Sequence, residues 1–249
     1  ATSDQAVALG KTAHASGINA FAQGNQSSAM AESSIAMGTH STVGNEGTAS
    51  TVIGMNSIVE GTHSGLIGTA MSTDKNQSGT TLNGEDTYVV GNGNGTVRGT
   101  NSSIIGNGNT VGIVVQDPDG HDIAYNTVNT SILGNRNTVT AQNVDVIGHG
   151  NTVGKKNLNA EGNEDGTIDR AAGSGVLGAN NIVYGSGNKV IGNNNTDADL
   201  NSVFILGNNV AAGLANSAYI GSSSAYVGSG TTTAGASSYG SVTVGNGTY

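Results

Sequence analysis

Residues 132–153 read Ile-Leu-Gly-Asn-Arg-Asn-Thr-Val-Thr-Ala-Gln-Asn-Val-Asp-Val-Ile-Gly-His-Gly-Asn-Thr-Val. Two apolar residues and a glycine are followed by a Thr-Val pair, and the phrase returns fourteen residues later, from Gly134 to Gly148. Outward from this stretch the same apolar-apolar-Gly tripeptide marks the whole chain. Upstream it is Ala8-Leu9-Gly10, Ala36-Met37-Gly38, Val52-Ile53-Gly54, Leu66-Ile67-Gly68, Val89-Val90-Gly91 and Ile104-Ile105-Gly106. Downstream it is Val176-Leu177-Gly178, Val190-Ile191-Gly192, Ile205-Leu206-Gly207 and Tyr219-Ile220-Gly221. Ala22-Gln23-Gly24 and Thr243-Val244-Gly245 fit with one polar slot each. A fixed period of this kind specifies a stacked repeat rather than a globule.

Fourteen residues are too few for a helical hairpin and enough for two short strands and two turns. The chain has 41 Gly and 1 Pro without a Gly-X-Y period, which excludes collagen and makes the glycines turn residues. The apolar positions are rich in β-branched residues and show no 3.6-residue stripe. The period therefore predicts an all-β fold, a β-solenoid with one coil of strand, turn, strand, turn per repeat. Asn25, Asn92, Asn107, Asn135, Asn193, Asn208 and Asn246 recur just after the anchor glycines. Asn tolerates the left-handed conformation, and stacked copies form amide ladders, so these are read as turn and ladder residues.

Successive side chains of a strand face opposite ways. Of two adjacent apolar residues such as Val146 and Ile147, one fills the coil and the other points outward. Repeated coil after coil, the outward residue makes an apolar surface stripe that a monomer rarely tolerates. The pattern predicts packing against copies of the chain in a closed symmetric arrangement.

The stretches Ala6-Val7-Ala8-Leu9-Gly10, Ala13-His14-Ala15-Ser16-Gly17, Ala20-Phe21-Ala22-Gln23-Gly24 and Ser34-Ile35-Ala36-Met37-Gly38 resemble the head repeats of trimeric autotransporter adhesins of the YadA type, whose motif is Ser-Val-Ala-Ile-Gly. The match is strong over roughly the first forty residues and looser beyond, with Asn216-Ser217-Ala218-Tyr219-Ile220-Gly221 the best late copy. The resemblance implies a left-handed parallel β-roll, assembled as a side-by-side homotrimer on the outer membrane and cell surface of a Gram-negative bacterium. It implies a virulence-associated adhesin that attaches to a host surface glycoprotein, CEACAM-type receptors among them, or to extracellular matrix such as collagen. Collagen binding in the family goes with head motifs followed by Ser, a pattern approximated by Ser34 to Ser41 and Ser217 to Ser224. The family's Val slot departs to Ser103, Ser131, Asp145, Gly175 and Lys189 in mid-chain, which predicts a shifted strand or a wider cross-section there.

The chain carries no Cys, which excludes a disulfide framework and thiolate metal sites. Its net charge of −9 argues against nucleic acid and anionic lipid as partners. No apolar run approaches membrane-spanning length. A signal peptide, a heptad stalk and an anchor are missing from the pattern, so residues 1–249 are expected to be a single head domain excised from a longer surface protein. The membrane is then reached only through the missing anchor domain.

The period lengthens at about 69–87, 112–130, 154–174 and 222–240, and repeat insertions tend to form loops on a binding face. The clearest is Ile113 to Tyr125, where two apolar runs flank Pro118-Asp119-Gly120. It predicts a protruding hairpin whose apolar residues serve either as a local staple on the solenoid or as a receptor site, with Ile113, Val115, His121, Ile123 and Tyr125 the candidate receptor-binding residues. Glu161, Glu164, Asp165 and Asp169 match no calcium-loop spacing and read as a solvated acidic loop. The five His form no i, i+4 metal pair, no Ser sits in a nucleophile elbow, and Gly91-Asn92-Gly93-Asn94-Gly95 lacks the helix of a phosphate loop. No enzyme, cofactor or metal is expected. The alternative readings are an ice-binding solenoid, for which Thr110, Thr138 and Thr152 recur singly and not as pairs, and a polysaccharide-active β-solenoid, whose carboxylate cluster is missing.

Overall fold

The computed structural model describes residues 1–69, 81–116, 122–154, 171–197, 199–225 and 242–244, with backbone alone at 81, 114–116, 122–125 and 242–244. The chain divides into two compact units: Ala1–Ile113 with Asn126–Thr130, and Val114–Tyr125 with Ser131–Tyr249. Both are parallel β-solenoids with coils of about fourteen residues, and the described residues contain no helix.

In the first unit one sheet stacks Val7–Leu9, Phe21–Gln23, Ile35–Met37, Thr51–Met55, Gly65–Thr69, Tyr88–Val90 and Ser103–Ile105, each paired in parallel with the next coil. The opposite sheet stacks two-residue strands: His14–Ala15, Ser28–Ala29, Thr42–Val43, Ile58–Val59, Thr81–Leu82, Thr96–Val97 and Thr110–Val111. Thr81–Leu82 lies inside the long interval between Gly68 and Gly91, so the coil's second strand persists there. Within the long interval between Gly106 and Gly134, Thr127–Val128 returns to pair with Gly99–Thr100.

The second unit repeats the plan. Its long-strand sheet stacks Ser131–Asn135, Asp145–His149, Gly175–Ala179, Lys189–Asn193, Phe204–Leu206, Ala218–Ile220 and Val242–Val244. The short strands are Thr138–Val139, Thr152–Val153, Ile182–Val183, Thr196–Asp197 and Ala211–Ala212. Ser131, Asp145, Gly175 and Lys189 align one above another, so no strand shifts where the Val slot departs. The reason is that this slot faces outward, where Ser131, Asp145 and Lys189 are exposed, and the packed interior never sees it.

The core is two side chains wide. The middle residues of the long strands, Ala22, Ala36, Val52, Leu66, Val89 and Ile104, are wholly buried, as are Ala15, Ala29, Val43, Val59, Leu82, Val97 and Val111 opposite them. Where the short strand offers only Ala212, the long strand supplies buried Tyr219, whose hydroxyl accepts from Gly213 N–H at 3.2 Å and Leu214 N–H at 3.1 Å.

Turns close the coil at both ends and each holds a left-handed residue, such as Gln26, His40 and Asn56 at one end and Asn19, Ser33 and His63 at the other. The anchor glycines have a stricter reason. Gly148 sits at φ 137°, and a Cβ there would overlap the carbonyl of Gly178 on the next coil.

Polar columns line both corners of the core. In the second unit Asn137, Asn151, Asn181 and Asn195 are buried three residues after their anchor glycines. Asn151 Nδ2 donates to Asn137 Oδ1 at 3.0 Å and to the Gly178 carbonyl at 2.9 Å. Asn181 Nδ2 donates likewise to Asn151 Oδ1 at 2.9 Å and to the Gly192 carbonyl at 2.8 Å. In early coils the smaller Ser27, Ser41 and Ser57 hold the same column, with Ser41 Oγ donating to the Gly54 carbonyl at 2.6 Å. The Asn residues directly after the anchors form an outer ladder. Asn193 and Asn208 each accept, through Oδ1, the backbone N–H of the preceding coil, from Ala179 at 2.9 Å and Asn193 at 2.8 Å.

Candidate functional site

The third residue of each long strand points away from the core. In the first unit this file is Leu9, Gln23, Met37, Ile53, Ile67, Val90 and Ile105, in unbroken register. In the second it is Leu133, Ile147, Leu177, Ile191, Leu206 and Ile220. The split of the adjacent apolar pair is sharp: Val146 is 1% exposed and Ile147 49%. Neither file contains a charge. A parallel file two residues earlier is mixed: Val7, Ile35 and Tyr88 in the first unit, Asp145, Lys189 and Phe204 in the second.

Half-exposed Val, Leu and Ile side chains each leave on the order of 1 kcal/mol of burial unrealised. Spaced about one strand repeat apart, roughly 4.8 Å, they form an apolar line on the sheet face, interrupted in the first unit by Gln23. Such an exposed apolar line is a candidate contact surface.

The short-strand sheet offers one outward side chain per coil. Thr42, Thr96 and Thr110 in the first unit are interrupted by Ile58, and Thr138 and Thr152 in the second are followed by Ile182. A two-residue strand has room for a single file only.

The strands Ile113–Gln116 and Asp122–Tyr125 pair in a two-stranded sheet of their own. Ile113 and Val115 are on one strand, Ile123 and Tyr125 on the other. Ile113 is partly buried. The side chains of Val115, Ile123 and Tyr125, and the whole of His121, lie outside the described residues, as do Glu161, Glu164, Asp165 and Asp169.

No group of three or more His, Cys, Asp or Glu that could hold a metal exists among the described residues. His40 joins a surface ladder, bridging Asn56, Nδ1 to Oδ1 at 3.1 Å, and Gln26 on its other side. His63 stands 3.7 Å from Asp86 on the neighbouring coil.

Among the described residues one carboxyl group is buried. Asp197 occupies the interior position where Val139, Val153 and Val183 stand in earlier coils. Burial pushes its carboxyl above the ordinary value, against four hydrogen bonds that favour the charge. Oδ1 accepts from Leu200 N–H at 2.6 Å, and Oδ2 from Gly185 N–H at 2.8 Å and from Asn188 Nδ2. All of these acceptor positions serve the turn that they hold, so the group is structural.

No known family model matches the chain, and no curated protein matches it.

Proposed function

We propose that the protein is the non-catalytic head of a trimeric bacterial surface adhesin, self-associated through the outer apolar file and attached to the outer membrane through an anchor domain. The observation that carries the reading is that file, uncharged in both units on a chain of net charge −9. Like charge repels copies of the chain everywhere else. A second copy also supplies the one partner surface with the same pitch, so apolar side chains meet apolar side chains at every coil. A handful of such contacts per unit reaches the roughly 4–15 kcal/mol that association costs. The Ser-Val-Ala-Ile-Gly-like coils at the start of the chain support a homotrimer of the YadA type. The partner is then a host surface glycoprotein, of CEACAM type, or extracellular matrix such as collagen.

Sedimentation tests the assembly. The 24.5 kDa chain is expected to run as a stable trimer at micromolar concentration, and a monomer overturns the reading. Capture of host surface proteins and collagen by the trimer tests the role. Capture that is equal for the trimer and for a dissociated variant counts against an adhesin that works as a trimer.

A further inference from the structure

The outer file of the first unit has one member that breaks its chemistry. Gln23 is exposed between Leu9 on one side and Met37 on the other, and no described group hydrogen-bonds its amide. The backbone around it is committed to the parallel ladder, with Gln23 C=O accepting from Gly38 N–H at 2.8 Å. Among the described residues of the same chain none satisfies this side chain.

Resting on the self-association reading above, we propose that Gln23 fixes the axial register of the assembled chains. An apolar file with one member per coil is degenerate, because sliding one copy by a coil replaces Ile against Ile with Ile against Val or Leu. Gln23 removes the degeneracy. When the files of the three copies meet in parallel with no offset, their Gln23 carboxamides lie at one level, and each Nε2–H donates to the Oε1 of a neighbouring copy's Gln23. Slipping by one coil places each amide against an apolar side chain, Leu9 or Met37, and leaves donors and acceptors dehydrated and unpaired. An antiparallel pair centred on Gln23 would satisfy the amides but overlap only the first three coils, leaving Ile53, Ile67, Val90 and Ile105 uncovered. The device matches the single polar residue that sets alignment in an otherwise apolar helical seam, at some cost in stability.

Disulfide trapping tests this, since the chain has no Cys of its own. Ile53 and Ile67 are adjacent rungs of the file. Chains carrying Ile53→Cys and chains carrying Ile67→Cys, one of them tagged for size, are mixed unfolded, refolded together and oxidised. With Gln23 present, like pairs (53 to 53, 67 to 67) are expected to dominate. In a Gln23→Leu background association persists and the mixed 53-to-67 product rises about tenfold, the factor that about 1.4 kcal/mol of discrimination gives. Abundant mixed product with Gln23 present, or an unchanged pattern in Gln23→Leu, overturns the register role while leaving self-association standing. A monomer in sedimentation overturns self-association and the register role with it.

Discussion

Val146 and Ile147 are chemically alike and adjacent, yet the fold gives them opposite environments. Val146→Asp buries a carboxylate in a two-residue-wide core with no donor waiting, so the second unit should lose several kcal/mol and melt far below the parent. Ile147→Asp puts the same charge on the outer face. Its secondary structure and melting in dissociated form should be near the parent's, while sedimentation shows weakened association. A large drop in melting temperature for the dissociated Ile147→Asp chain would place that side chain in the core and invert the frame. Gly148→Ala tests the stacking itself. A methyl cannot fit under the Gly178 carbonyl and the backbone sits at φ 137°, so thermal melting should show a loss of about 2 kcal/mol or more. That one member of each pair points in and the other out was legible in sequence, because a strand alternates and the period repeats; which member points in was not, and a reading of Ile147 as the buried one is corrected by its exposure beside buried Val146. The role of Asn151 was not legible either. The Asn residues directly after the anchors drew the ladder reading, whereas the buried ladder uses those three residues after, as in Asn137, Asn151, Asn181 and Asn195. The Gly-x-x-Asn spacing was present, but polarity alone points such residues outward, and only the unpaired carbonyls at the coil corner explain their burial.

At the scale of the element, the short-strand sheet is a column of Val broken by Asp197. No periodic signal announces that break, because Thr-Asp in place of Thr-Val reads as an ordinary turn. The structure explains it through the donors of the adjoining turn, at Gly185, Leu200 and Asn188. The pH consequence has a definite sign. Burial raises the carboxyl above 3.8, so between 3.8 and the higher folded value the native state binds more protons than the unfolded chain. Stability from this group is fully present below pH 3.8 and is lost as pH rises through the folded value. Asp197→Asn removes that dependence but leaves one acceptor oxygen facing three donors, at a cost of about 1–3 kcal/mol. Denaturant titrations of the parent and Asp197→Asn from about pH 4 to about pH 7 should therefore show a gap that narrows with rising pH. A gap that widens would mean that the hydrogen bonds outweigh burial and hold the carboxyl low. The alternation of long and short strands coil after coil, by contrast, was readable. Even Ser131, Asp145, Gly175 and Lys189, which suggested a shift, kept register, since an outward slot tolerates any side chain.

At the scale of the whole molecule, the regular coils present the same few side chains at every turn, while recognition hot spots favour large, distinctive anchors in a desolvated setting. The candidate host-binding segment is therefore the departure from the repeat at Ile113–Gln116 and Asp122–Tyr125, which pair with each other in a separate small sheet. Tethered at both ends, this sheet loses less freedom on binding than a free peptide. Its separateness also predicts independence of folding. Replacing residues 114–124 by a short Gly-Asn turn should leave the circular dichroism and sedimentation of the protein unchanged, because coils are held by their neighbours on the stack. The same deletion should weaken adhesion to the host receptor at least about tenfold, or about 1.4 kcal/mol, read by surface-binding titration against the parent. Loss of folding would show that the small sheet staples the coils. Full adhesion after this deletion, and after trimming the intervals at 69–87, 154–174 and 222–240, would move recognition onto the regular coil face. A repeating ligand such as collagen, matched to a repeating surface, would then be the better partner.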